Sequence, residues 1–348
     1  MFRLQIIPYH LLLRFEAGTS RGVIKERNIF FVVLTHLDFP DRIGIGEISP
    51  LLDLSPDYHF DIASFLEQQK NNFTPDFLES ELLKNLPSVR FGLETAYLDW
   101  KNGGKRMIFD NDFSRGNEKI WINGLIWMGK PAFMQAQIEE KLAKGFRCLK
   151  LKIGALDFET ELNLLKEIRK KFSADEIILR VDANGAFSPK TALEQLKRLS
   201  DFDLHSIEQP IAANQIEKMA ELCEKSPLAI ALDEELIAIR TKEEKENLLK
   251  AIRPPFIILK PTLLGGLVAC QEWIILAESL GIDWWITSAL ESNIGLNAVA
   301  QFTANYKNKL PQGLGTGNLY HNNIDSSLYL DGEYLGLNKD YQAKFDVL

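Results

Sequence analysis

Five charged residues close five successive apolar runs: Lys152 ends "CLKLK", Asp182 "ILRVD", Glu208 "HSIE", Asp233 "AIALD" and Lys260 "FIILK". Each stands 25 to 30 residues after the one before, the length of one strand-and-helix unit. Solvated faces do not place lone charges so regularly. Parallel strands that end at one mouth do, and barrel active sites are built there. Three carboxylates gathered at such a mouth repel and raise each other's pKa unless a cation neutralises them. Oxygen ligands without His or Cys suit Mg²⁺ or Mn²⁺, so Asp182, Glu208 and Asp233 are the candidate metal ligands.

The lysines flank that set. A free lysine titrates near 10.4, but burial and a second cation bring it toward about 7–8, where it serves as a general base. The run "FRCLKLKIGA" supplies such a neighbour, because Lys150 lies two residues before Lys152 and so shares its strand face. One of the two is expected to act as the base and the other to tune it. Lys260, four strands along, approaches a bound substrate from the opposite side.

The elements that must position these groups follow from the surrounding pattern. From Trp121 onward, apolar runs alternate with amphipathic segments: "WINGLIWMG", "CLKLKIG", "EIILRVDANG", "LHSIEQP", "LAIALDEE", "FIILKPTL", "WWITSALES" and a weaker "QGLGTGN". Ser188-Pro189 and the pair Thr241 and Glu244 are helix-start signals. Eight alternations in this length predict a (β/α)8-type barrel; a doubly wound sheet is the alternative, but no GxGxxG follows an early strand. The first hundred residues read instead as three strands followed by two helices, an α+β unit. Gly103-Gly104 marks the boundary, and the tail from Tyr320 reads as loop. "GLGTGN" resembles a phosphate loop, yet no clear helix follows it.

Composition narrows the function classes. The 348 residues are 46% hydrophobic and 25% charged, with a net charge of −8, so nucleic acid and anionic membrane are poor partners. No apolar run approaches a membrane span and no signal-peptide pattern opens the chain. Cys148, Cys223 and Cys270 suggest neither a disulfide framework nor a zinc site. A cytoplasmic enzyme is expected, and a homo-oligomer is compatible with the sequence.

The Lys-x-Lys strand, the Asp182–Glu208–Asp233 series and Lys260 resemble the enolase superfamily, muconate-lactonising subgroup. "GIGEISPL" and "RFGLETAYLDW" are similar to its capping-domain segments, and "VDANGAF", "IEQP", "DEE" and "LKPTLLGG" to its barrel segments. The resemblance implies an α/β fold: a TIM-like (β/α)7β barrel at 103–318, an N-terminal α+β capping domain at 1–102, and a segment at 319–348 that packs back on the capping domain. It implies Mg²⁺, with Mn²⁺ able to substitute, on Asp182, Glu208 and Asp233. Lys152 and Lys260 become the acid–base pair for removing a proton α to a carboxylate. Asn184 and Glu234 are then groups that support the ligands, and Arg180 an ion-pair partner of the cluster.

Within the superfamily, "ITSALESNIGLNAVAQ" is similar to the dehydrating branch of menaquinone biosynthesis. That likeness places Ser288, Asn293 and Gly295 in the substrate site. Arg21 and Lys25 are candidate partners for a substrate carboxylate. Dipeptide epimerisation, N-acylamino-acid racemisation and muconate cycloisomerisation are the rival chemistries. Gly315-Thr316-Gly317 lacks the acidic pair that dipeptide epimerases carry there. A catalytically dead binding barrel is the rival from another class.

Overall fold

The computed structural model describes residues 1–19 and 22–347. Three antiparallel strands come first, β1 (Phe2–Thr19), β2 (Gly22–His36) and β3 (Phe39–Ile48), hydrogen-bonded in that order. Their alternation serves two cores. Val32 and Leu34 pack with the helices α1 (Ile62–Gln69) and α2 (Pro87–Lys101), while Ile29 and Phe31 face Trp127, Ile294 and Tyr320 of the rest of the chain. The glycines of "GIGE" have a steric reason. A Cβ on Gly44 would be driven into the carbonyl oxygen of Ala96, and one on Gly46 into that of Gly92, so only bare backbone lets α2 lie on β3.

After β4 (Ile120–Trp121) the barrel begins. Its order is β5 (Gly124–Ile126), α3 (Pro131–Ala143), β6 (Cys148–Lys152), α4 (Phe158–Arg169), β7 (Ile178–Asp182), α5 (Ala192–Ser200), β8 (Ser206–Glu208) and α6 (Ile216–Lys225). It continues with β9 (Ile230–Leu232), α7 (Lys242–Ile252), β10 (Phe256–Leu259), α8 (Pro261–Leu264), α9 (Gly266–Ser279), β11 (Asp283–Ile286) and α10 (Asn293–Thr303). The seven strands β5 to β11 form one parallel sheet in sequence order. Gln312 and Gly313 close it: Gln312 bridges Ile122 on one side and Gly313 bridges Thr287 on the other, both in parallel sense. The eighth strand is therefore one short bridge without a crossover helix of its own, a (β/α)7β barrel.

Helix starts follow local chemistry. Thr241 and Glu244 form a capping box on α7. Ser188-Pro189 instead makes a turn, and α5 begins only after Thr191. The segment from Tyr320 is not all loop. Tyr320 bridges Leu13 and Phe345 packs on Phe31, whereas the hairpin β12 (Leu328–Asp331) and β13 (Tyr334–Leu337) adds to β4 through Leu335 and Tyr334.

Candidate active site

Parallel register brings the charged strand ends together. Lys152 lies beside Asp182, and Asp182 beside Glu208, while Asp233 and Lys260 are the residues just after β9 and β10. On β6, Leu149 and Leu151 point into the apolar core between sheet and helices, which turns Lys150 and Lys152 to the barrel interior.

There each lysine finds carboxylates. Lys152 Nζ donates to Asp182 Oδ2 at 2.6 Å and to Asn184 Oδ1 at 2.8 Å. Lys150 Nζ lies 3.0 Å from that same Asp182 oxygen and donates to Glu208 Oε2, so the two ammonium groups are neighbours. Across the row, Lys260 Nζ donates to Asp233 Oδ2 and lies 3.6 Å from Glu208 Oε1. Asn184, held at φ 44°, donates its side-chain amide to Glu234 Oε1 and its backbone N–H to Asp182 Oδ1.

The charges follow from this packing. Burial works against ionisation of Asp182, but Lys150, Lys152 and Lys260 outweigh it and hold its carboxyl well below the usual range. Asp233 is lowered in the same way, with Lys260 overcoming its burial. Glu208 goes the other way, to about 8, because burial and the neighbouring Asp182 charge dominate. Burial disfavours charge on Lys150 and Lys260, yet the facing carboxylates keep both above the ordinary lysine value.

Among the described residues, no three His, Cys, Asp or Glu side chains stand grouped as a finished metal centre, since the three carboxylates are each turned to a lysine. The donor set nevertheless fits a hard divalent cation. It offers carboxylate oxygens from three adjacent strand ends, and Glu208 Oε1 is buried without a hydrogen-bond donor.

A cavity of about 570 Å³ opens over this floor, lined by Lys150, Lys152, Asn184 and Lys260 below. Its walls come from Gly22–Asn28 of β2, Pro50–Leu54, Tyr58, Leu125, Trp127 and the turn Thr287–Leu290, with Gly313, Gly315 and Thr316 at the eighth strand. Of the residues expected around the substrate, Ser288 lines the cavity, donating to Glu291 Oε2 at 2.6 Å and accepting from Thr316 Oγ1 at 2.8 Å. Asn293 and Gly295 do not line it. They occupy the first turn of α10, where Asn293 donates to the carbonyl of Ile324 at 2.7 Å and Gly295 N–H donates to Glu47 Oε2 at 2.8 Å. Arg180 is not ion-paired with the carboxylates either. It lies one inward position below Asp182, donates to the Pro311 carbonyl at 2.7 Å and stacks 4.0 Å over Trp285. Lys25 reaches the rim and pairs with Glu16 at 2.6 Å, while Arg21 lies outside the described residues.

Sequence reading missed three buried polar residues, of which Arg27 lines this cavity. Arg27, on its wall, donates to backbone oxygens of two distant turns. Glu291 gathers Thr262, Ser288 and the N–H of Ala289. Glu47 accepts from Ser292 and Gly295 at the start of α10. The only signal was a charge inside an apolar stretch, "GIGEI" for Glu47 and "SALES" for Glu291.

Comparison with known proteins agrees with this architecture. Residues 134–334 match the family model "Enolase C-terminal domain-like". The chain is 48% identical over 94% of its length, and 96% of the relative's, to the o-succinylbenzoate synthase of Desulfotalea psychrophila. It is 38% identical to the N-succinylamino acid racemase of Thermus thermophilus, covering 84% of this chain and 79% of that one. The crystal structure of MenC from Desulfotalea psychrophila superposes with a TM-score of 0.85 at 45% identity, covering 97% of this chain and 99% of that one. A complete lysine–carboxylate floor in a (β/α)7β barrel, with these likenesses over nearly the whole chain, makes the protein a member of the enolase superfamily.

Proposed function

We propose that this protein is an o-succinylbenzoate synthase, a hydro-lyase that converts SHCHC to 2-succinylbenzoate by syn-dehydration. The observation that carries the reading is the pair Lys152 and Lys260, set on opposite sides of the carboxylate row at the floor of one cavity. The 48% identity to an o-succinylbenzoate synthase supports the choice of substrate.

In this reading Asp182, Glu208 and Asp233 hold a Mg²⁺ ion. When bound, the ion supplies positive charge that favours build-up of negative charge on a substrate carboxylate. Lys152, as the free amine, takes the proton α to that carboxylate, and the C–H electron pair moves into the carboxylate to give an enediolate. Lys260 stays cationic and steadies that charge from the other face. Lys152 then returns the proton to the departing hydroxyl. The C–O bond breaks, water leaves, and the electron pair completes the aromatic ring. Lys150 stands beside Lys152 and shares Asp182 Oδ2 with it. Asn184 orients Lys152 through its side-chain oxygen.

N-Succinylamino-acid racemisation is the second reading, favoured by the 38% identity to a racemase of that kind. The same two lysines on opposite faces suit it. Turnover of SHCHC, followed by the absorbance of the aromatic product beside solvent-deuterium uptake into N-succinyl amino acids, decides between them. Deuterium uptake without dehydration would overturn the synthase assignment.

A further inference from the structure

We infer that Arg27 is a positioning residue that fixes the cavity wall by tying the turn at Ser49–Pro50 to the turn at Ala289–Leu290, and thereby sets how firmly a substrate is gripped. The inference rests on the functional reading above for its substrate. Arg27 is only 5% exposed although it lines the cavity. Its Nη1 donates to the carbonyls of Ala289 at 2.9 Å and Leu290 at 2.8 Å. Its Nη2 donates to Ser49 O at 2.7 Å, Ser49 Oγ at 2.8 Å and Pro50 O at 3.1 Å. Among the described residues it meets no carboxylate in a salt bridge. A guanidinium engaged in this way is not a reserve cation for a substrate anion. Its planar fork is instead suited to spanning two segments at once.

The two segments are joined by nothing local in the sequence. Ser49–Pro50 leads from β3 into Leu51–Leu54 of the wall, and Ala289–Leu290 follows β11. Leu290 has φ 63°, a left-handed conformation that a leucine adopts only when its surroundings impose it. Those surroundings are Arg27 and the Tyr320 hydroxyl at 2.6 Å on its carbonyl, and Ser288 Oγ accepting its N–H at 3.1 Å. Without Arg27, the carbonyls of Ala289, Ser49 and Pro50 and the Ser49 hydroxyl lose this donor, and the Leu290 carbonyl keeps only Tyr320, so Leu290 loses part of its restraint. The wall then loosens while the lysine–carboxylate floor, which Arg27 does not touch, stays as it is.

The test is Arg27→Met, which keeps aliphatic bulk and removes the donors. KM for SHCHC should rise about tenfold with kcat changing less than about threefold, because ground-state grip is lost and proton transfer is not. Amide exchange at 49–54 and 287–291 should quicken together in the unliganded protein, and Mg²⁺ affinity should not change. Tyr320→Phe, which removes one bond to the same carbonyl, should raise KM about two- to threefold; it decides the matter if Arg27→Met does not fold. A merely structural Arg27 would give a lower melting temperature and fewer active molecules with unchanged KM and exchange, and that result overturns the inference. If wild type fails to turn over SHCHC, the functional reading falls instead. The same KM comparison on deuterium uptake by an N-succinyl amino acid then tests Arg27 independently.

Discussion

Three lysines, Lys150, Lys152 and Lys260, face Asp182, Glu208 and Asp233, so basic and acidic side chains are matched one to one across the cavity floor. A divalent cation added there leaves a positive excess, which suits a substrate carrying two carboxylates better than one carrying an ammonium. Chelation is therefore expected to abolish turnover, and Mg²⁺ or Mn²⁺ to restore it. Asp233→Asn should weaken metal affinity and cut activity together; full activity in excess chelator would remove the metal from the reaction. The lysines should separate by role. Lys152→Ala is expected to lose about 10³-fold or more in kcat, the scale of general acid–base catalysis, and to lose deuterium uptake with it. Lys260→Ala should lose about 10²- to 10³-fold through the missing charge. Rapid turnover by Lys152→Ala would take the proton transfer away from that residue.

The elements explain which parts of the site were legible in advance. Charges at strand ends stood out because apolar strands make them conspicuous, and one unit per strand made their convergence readable. The likeness of "ITSALESNIGLNAVAQ" carries Ser288, Asn293 and Gly295 together, but only Ser288 lines the cavity, because α10 turns its first residues toward Glu47 and Ile324. Arg27 was invisible for another reason. All but one of its partners are carbonyl oxygens, which every residue has, and two of them lie more than 260 positions away. The short hairpin of β12 and β13 has a mostly exposed first strand, so no apolar alternation announced it. The α2–β3 contact carries a prediction at this scale. Gly46→Ala should destabilise the protein by about 1–3 kcal/mol, since the new Cβ pushes into the Gly92 carbonyl and α2 must lift off the sheet. Thermal melting checks this, and an unchanged melting temperature would mean that the contact has slack.

Across the whole molecule, buried ionisable groups tie the N-terminal unit to the barrel and set the response to acid. Glu94 of α2 accepts from Leu267 and Val268 N–H at the start of α9, as Glu47 does at α10. Burial, against those hydrogen bonds, raises Glu94 to about 7. The folded protein thus takes that proton before the unfolded chain does, and Glu94 adds stability as pH falls from about 7 to 4.5. His205 acts in the opposite sense at the other end of the barrel, just before β8. Its ring packs 4.9 Å from Phe256 and 6.1 Å from Trp285, and burial, helped by the charge of Arg180, lowers it from 6.5 to about 4. The unfolded chain therefore binds the proton first, so the neutral ring's contribution is fully present above about 6.5 and is lost as pH falls toward 4. With a discount for the part of the ring that water reaches, the loss is about 2 kcal/mol. His205→Phe keeps the aromatic packing and removes the titration. Urea unfolding of both proteins at pH 7 and pH 4.5 isolates the effect from Glu94 and every other shared group. The stability difference should move in favour of His205→Phe by roughly 1–2 kcal/mol on acidification. A difference that does not change with pH would show that His205 accepts its proton in the folded barrel as readily as in the unfolded chain.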